Sequence, residues 1–370
     1  MTTPSKRLRS PAARSLEGGA RWPQRFLAPA VFAVAIFVAG VVLPATAAPA
    51  AVVLEVRKIW DEAPHNAFTD LLRWRERWWC VFREGEAHVG GDGAVRVLTS
   101  ADGRAWALAA RITEKDTDLR DPKLSLTPDN RLMIVCGGSV YLGTKELKGR
   151  RSRVMFSRDG RAWTRPQRVL GEGEWLWRVT WHEGIAYGAA YAEADSGPPS
   201  AIPGERVLRL YRSRDAIGWE LVTPLTIPGR PGETTLRFDA SSGMTAVVRR
   251  EGEDRMGWVG RSAPPYRDWR WQVGDRRLGG PNLVALPDRS WVIGTREYAR
   301  PDSGSAQGAK MILTALDEKG RTTPLITLPS GGDCSYPGMV WHDGELWVSY
   351  YSSHEGKTAI YLARVQVTVR

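Results

Sequence analysis

The sequence predicts an all-β fold, a six-bladed β-propeller, and three observations carry that prediction. A short motif, Ser-x-Asp-Gly-x-x-Trp, stands at Ser100 to Trp106 and Ser157 to Trp163, with a variant at Ser213 to Trp219, so it recurs after 57 and then 56 residues. Between copies, β-rich runs alternate with Gly and Asp turn signals, and no amphipathic helix of useful length interrupts them. A repeat of this length made of strands is most simply one propeller blade per copy. The third observation is that one spare strand remains at each end of the strand-rich region, so the last blade can be closed by the first strand of the mature chain.

The motif explains itself chemically. Ser and Asp side chains satisfy nearby backbone groups and close a tight turn, Gly tolerates positive φ, and Trp folds back as an apolar plug. Such turns are expected to fasten blades, far from any chemistry.

The amino terminus comes first in chain order. Lys6, Arg7, Arg9, Arg14, Arg21 and Arg25, against Glu17 alone, account for five of the eleven excess positive charges. They precede an apolar run from Phe26 to Leu43 and the small-residue ending Ala45-Thr46-Ala47. That order reads as a secretory signal over residues 1–48, cleaved or retained as an anchor, and it places the body of the protein outside the cytoplasm, secreted or periplasmic. The remaining cations are scattered among Asp and Glu, which argues against a nucleic-acid partner. Apart from the possible anchor, no membrane segment is expected. Three cysteines, Cys80, Cys136 and Cys334, neither make a disulfide framework nor show metal-ligand spacing. No cofactor motif and no metal site are expected. With 17 Trp and 42% apolar residues, the core is ample for a monomer.

The body, residues 51–370, reads as one propeller domain. Six hairpins follow in order: Leu71 to Phe82, Leu124 to Cys136, Val179 to Tyr191, Leu236 to Val248, Leu283 to Thr295 and Met339 to Tyr351. The motif turn follows the first three, degenerates at Ser262 to Trp269, and survives after the fifth only as Leu316 to Gly320. The strand from Val52 to Ile59 and the strand from Ala359 to Val369 are the two left over, and their pairing would leave no open edge.

In a propeller the first strand of each blade lines the central channel, and loops at one mouth converge on the axis. The polar residues placed there are Asp70, Arg83, Glu84, His88, Asp92, Asp121, Arg178, Glu233, Arg249, Arg250, Asn282, Arg296 and Tyr336. Several arginines aimed at one axis repel unless an anion lies between them, and a guanidinium grips a carboxylate in bidentate fashion, so an anionic ligand is expected. A carboxylate beside a Tyr adds the parts for covalent glycoside chemistry.

With these residues in place, the body resembles the sialidase superfamily, the neuraminidases, six-bladed propellers with Asp-box turns. The resemblance covers the whole body in layout. It implies an arginine triad on the sialic acid carboxylate, a Tyr nucleophile assisted by a Glu, and an Asp acid or base. Carried over, Glu233 in Gly232-Glu-Thr-Thr takes the place of the assisting Glu, Arg249 and Arg296 those of the second and third arginines, and Tyr336 in Cys334-Ser-Tyr-Pro that of the nucleophile. The sequence departs from the family at blade one, where Phe68-Thr-Asp-Leu71 replaces an Arg-Ile-Pro motif and puts Asp70 in the place of the first arginine. Arg83 is the candidate substitute. Glu84, His88 and Asp92 share the loop that should carry the acid, with Asp121 and Asp70 as further carboxylates; Arg178 is either a specificity residue or an ion-pair partner for Asp121. The expected activity is exo-hydrolysis of a terminal sialic acid or related acidic sugar from a sialoglycoconjugate; the alternatives are a non-hydrolytic propeller that binds acidic glycans, and a different sugar-cleaving or lyase chemistry that uses the Asp70, Asp121 and Glu233 carboxylates.

Overall fold

The computed structural model describes residues 51–143, 146–193, 205–300 and 307–368, and every regular element among them is a β-strand. The proposed signal, residues 1–48, lies outside the described residues. The strands form six four-stranded antiparallel sheets. Blade 1 holds β2 (His65–Trp74), β3 (Arg77–Gly85), β4 (Ala94–Ser100) and β5 (Ala107–Ile112); blade 2 holds β6 (Asp118–Leu126), β7 (Leu132–Leu142), β8 (Glu146–Ser157) and β9 (Gln167–Val169). Blade 3 holds β10 (Trp175–His182), β11 (Ile185–Glu193), β12 (Arg206–Ser213) and β13 (Glu220–Leu225); blade 4 holds β14 (Pro231–Phe238), β15 (Met244–Arg250), β16 (Met256–Ser262) and β17 (Arg270–Arg277). Blade 5 holds β18 (Asn282–Ala285), β19 (Trp291–Glu297), β20 (Lys310–Leu316) and β21 (Thr322–Leu328). Blade 6 runs β22 (Cys334–His342), β23 (Glu345–Ser352), β24 (Ala359–Val367) and, outermost, β1 (Ala51–Trp60), with Ala51 opposite Val367 and Trp60 opposite Ile360.

The three motif turns have one geometry. In the first, the Ser100 hydroxyl accepts from the Gly103 amide at 2.8 Å, Asp102 Oδ1 accepts from the Arg104 and Ala105 amides at 2.8 and 3.0 Å, and the Trp106 indole donates to the Gly103 carbonyl at 3.0 Å. The same bonds recur around Ser157, Asp159 and Trp163, and around Ser213, Asp215 and Trp219. The turn also fastens the neighbouring blade: a Cβ at Gly103 would lie 2.3 Å from the Trp347 ring of blade 6, and one at Gly160 would lie 2.1 Å from Trp79 of blade 1. Positive φ and a close approach thus coincide at these two glycines. Trp78 of β3 stacks on Trp347 at 4.3 Å, so blades 1 and 6 are joined by large apolar surfaces.

The inner strands share a second device. A register shift interrupts the first pairing at Ala67/Asp70, Arg120/Lys123, Leu176/Val179, Pro231/Thr234 and Ser335/Gly338. Such a bulge re-aims the residue inside it. Phe68, Asp121 and Tyr336, all within these bulges, take left-handed backbone angles of 65°, 52° and 53°. In blades 1, 2 and 6 the bulge therefore re-aims one side chain, Phe68, Asp121 or Tyr336, while blade 5 pairs its first two strands with no register shift.

Candidate functional site

At the mouth, β14 and β22 bring Glu233 and Tyr336 together across 103 residues. The Tyr336 hydroxyl donates to Glu233 Oε1 at 2.6 Å, and Arg249, from the end of β15, donates to the same oxygen at 2.8 Å and contacts the Tyr336 oxygen at 3.2 Å. Glu233 Oε2 accepts from the Gly280 amide at 2.8 Å. Gly280 has to be glycine, because a Cβ there would meet the Tyr336 ring at 2.5 Å. Burial pushes the Glu233 carboxyl up, but the Arg249 charge and the bonds from Tyr336, Arg249 and Gly280 outweigh it and hold the pKa below the usual value. Burial and the adjacent Glu233 carboxylate hold the Tyr336 phenol well above its ordinary range, so the resting pair is a neutral phenol bound to a carboxylate.

Arg296 closes the other side. Its guanidinium donates to the Cys334 carbonyl at 2.8 Å and to the Tyr351 hydroxyl at 3.0 Å, and sits 5.7 Å from the centre of the Tyr336 ring. Tyr351 in turn donates to Asp333 at 2.9 Å, and Asp333 receives His88 Nδ1 at 2.7 Å and His65 Nε2 at 3.1 Å. Burial opposes the charge on Asp333, yet the two imidazoles and Arg296 keep its carboxyl well below the usual range. Phe68 packs edge-on against both Tyr336 and His88, each at 5.1 Å. Asp121 is nearly buried; desolvation, with Glu233 adding to it, raises its pKa despite Arg120 and Lys123.

From Glu233 a polar cleft of about 370 Å³ runs outward between blades 3 and 4. Five arginines line it, Arg206, Arg230, Arg249, Arg255 and Arg277, with Glu233 and Glu251 as the acidic wall residues. Glu251 receives Arg249 at 2.6 Å, Arg277 at 3.3 Å and Arg255 at 3.4 Å. Glu193, behind the wall, pairs Arg206 at 2.9 Å and Arg230 at 3.1 Å, so the five guanidinia face three carboxylates, a balance that still suits an anionic group.

Several residues expected at the mouth are elsewhere. Arg83 is fully buried, with Nε and Nη2 on Asp118 at 2.6 and 3.0 Å and its other bonds to the Ala87 and Gly90 carbonyls, so it cannot stand in for a first arginine. Glu84 turns outward to Arg96 and Arg111. Arg250 points away from Arg249, as strand alternation requires, onto the Pro228 carbonyl and Asp254. Asp70 lies in the channel below the mouth, where its carboxylate accepts from the Leu124 amide at 2.8 Å and from Arg178 at 2.7 Å. The partner of Arg178 is therefore Asp70, not Asp121. Asn282 is also a channel residue, accepting from Arg237 at 2.8 Å and donating to the Pro337 carbonyl at 3.0 Å. Asp92 stands exposed on the loop between β3 and β4, while His88 of that loop reaches the Asp333 group.

Sequence reasoning missed Phe68, Lys123, Glu251, Arg277, Asp333 and Tyr351. The bulge explains the first: it puts Phe68, rather than Asp70, in the turned-out position of blade 1. Lys123 lies buried under the site, its ammonium 4.9 Å from the Trp177 ring and 5.6 Å from that of Tyr336, and burial with Arg178 nearby lowers its pKa to about 8. A visible signal was the position of Asp333, three residues before Tyr336.

No protein-family model matches this chain, and no curated protein is recognisably similar to it in sequence. Solved structures are similar in fold. A protein of unknown function from Dyadobacter fermentans superposes with a TM-score of 0.74 at 16% identity, over 87% of this chain and all of that one. The alpha-L-arabinanase of Penicillium chrysogenum, solved with arabinobiose, gives 0.63 at 14% identity over 84% of this chain and 98% of that one. The sialidase of Trypanosoma rangeli, solved with the inhibitor DANA, gives 0.61 at 10% identity over 82% of this chain and 55% of that one. The six-bladed propeller is thus a fold this chain shares with sialidases and arabinanases.

Proposed function

We propose that the chain is an exo-acting glycosidase that removes a terminal acidic sugar, sialic acid or a close relative, with retention of configuration. The observation that carries this reading is the 2.6 Å bond between Tyr336 and Glu233, with Arg249 on the same oxygen. In the first step the Tyr336 oxygen attacks the anomeric carbon as its proton passes to Glu233, and the aglycone oxygen leaves with a proton from Asp121, whose carboxyl burial shifts toward the protonated form. In the second, Asp121 takes a proton from water, the hydroxide displaces the phenolate, and Glu233 returns the proton to Tyr336. A neutral phenol is a better nucleophile precursor than a carboxylate toward a sugar that is itself negative. Arg249, Arg296 and the arginines of the cleft supply the complementary charge. An extracellular monomer, exported by residues 1–48, fits such a substrate.

One observation favours a second reading. Phe68 is apolar where the resemblance implies the first arginine, which favours a propeller that holds an acidic glycan without cleaving it. A panel of sialosides, uronosides and neutral arabinofuranosides decides between the two. Turnover of an acidic sugar that falls about tenfold or more in Arg249→Lys and Arg296→Lys supports the first reading. Binding without turnover supports the second, and turnover of neutral sugars alone rejects the acidic substrate.

A further inference from the structure

We propose that His65, His88 and Asp333 form a binding site for a divalent transition-metal ion of zinc's class, at the rim of the mouth on the seam between blades 1 and 6. The three residues come from separate segments: His65 opens β2, His88 sits on the loop after β3, and Asp333 directly precedes β22. One donor atom from each lies within 4.8 Å of the other two. Asp333 Oδ2 is 3.1 Å from His65 Nε2 and 2.7 Å from His88 Nδ1, and bonds of about 2.0–2.1 Å to one tetrahedral ion would spread these to about 3.3–3.4 Å, a shift of a few tenths of an ångström at each. Two nitrogens on one such tetrahedral ion stand about 3.4 Å apart, against donor separations of up to 4.8 Å here. The remaining closure is within reach of His88, which is half exposed on its loop.

The donor set selects the ion. Two imidazoles and one carboxylate suit zinc and its neighbours, whereas magnesium and calcium require mostly oxygen ligands. The carboxylate is already aimed: the Tyr351 hydroxyl holds Asp333 Oδ1 at 2.9 Å and Arg296 stands 3.6 Å from it, an outer layer of the kind that fixes metal ligands. The exposed side of His88 leaves a fourth position for water or an oxygen of a bound sugar. One feature limits the affinity. His65 Nδ1 is buried without a partner, so a metal on Nε2 puts the ring proton where nothing accepts it. A missing outer partner costs about 10–100-fold in metal affinity, which sets the expected Kd on the order of micromolar instead of the far tighter range of structural zinc.

The test uses tag-free protein stripped with a chelator and titrated with Zn²⁺ by calorimetry and with Co²⁺ by visible absorption. One Zn²⁺ per chain, cobalt bands in the visible, and binding of Mg²⁺ and Ca²⁺ at least about 100-fold weaker are the expected results. His88→Ala, a change on an exposed loop that leaves the core alone, should weaken Zn²⁺ by about tenfold or more, and Asp333→Asn should remove the cobalt bands in protein of unchanged circular dichroism. Absence of Zn²⁺ binding in the wild type, or equal binding in His88→Ala, overturns the site. The readout is metal affinity alone, so it stands or falls separately from the glycosidase reading.

Discussion

The outer turns and the mouth use the same kinds of bond and differ in where the partners come from. In the turn at Ser157, the hydrogen bonds that close it join residues no more than three apart, and Arg75 of blade 1 adds a single long-range bond to the Arg158 carbonyl. At the mouth, Tyr336 meets Glu233 across 103 residues and Arg249 across 87. A local turn is specified by a seven-residue string and closes itself before it meets its neighbours. The mouth exists only when the six blades are closed and the bulges of blades 1 and 6 have brought Phe68 and Tyr336 together. The first region supplies stability with no exposed reactive group, whereas the second holds a carboxylate, a phenol and several guanidinia in a strained, poorly solvated space.

This difference predicts opposite responses to substitution. Glu233→Gln removes the base and leaves Arg249 with Glu251 as its partner. On the substrate identified from the sugar panel, kcat should fall by about 10²–10⁴-fold while the folded state persists. A variant with kcat near that of the wild type would take Glu233 out of the chemistry. Beneath the mouth, Asp70→Asn breaks the buried pair with Arg178 and leaves that guanidinium uncompensated, at a cost of about 3–5 kcal/mol in urea unfolding. A change under 1 kcal/mol would mean that water reaches the channel at Arg178. In the outer turn, Asp159→Ala loses the carboxylate that accepts from the Arg161 and Ala162 amides, worth about 1 kcal/mol, and kcat/KM of the remaining folded protein should be unchanged. A loss of activity larger than the loss of folded protein would show that turn and mouth are coupled.

The same difference explains how much was legible in advance. The blades could be counted because the Ser-x-Asp-Gly-x-x-Trp string and the hairpin pattern are local, and Trp269 keeps its bond to the carbonyl three residues back even where the motif has decayed. Glu233, Arg249, Arg296 and Tyr336 could be placed together because each stands at a definable point on its blade. Arg83 and Asp70 could not be placed correctly. Their fate depends on an insertion of one residue in the register between β2 and β3, which turns Phe68 outward and Asp70 down the channel, and nothing in Phe68-Thr-Asp-Leu71 announces a bulge. The His65, His88 and Asp333 group was equally hidden, since its members are 23 and 245 residues apart and have no spacing typical of metal ligands.

The smallest effect expected is a pH dependence confined to the turns. Asp102 has its pKa lowered to about 2, first by the bonds from the Arg104 and Ala105 amides and then by that from Ser100. In the unfolded chain its pKa is about 3.9. A group whose folded pKa is depressed stabilises the fold above the unfolded value and loses that contribution as pH falls through the folded value, so the window runs from about pH 4 down to about pH 2. Asp102→Asn keeps the acceptor oxygen but removes the charge. Its melting temperature should lie slightly below that of the wild type at pH 5, and the two should converge as the pH falls to about 2 and below, where Asp102 loses its charge. The exposed position of Asp102 makes the gap small and sensitive to salt. Glu233, whose pKa is also depressed, is present in both proteins and cancels from the difference. A gap that stays constant from pH 5 to pH 2 would mean that Asp102 contributes through shape alone, and the turn would then owe its stability to Ser100, Gly103 and Trp106 instead of to the carboxylate.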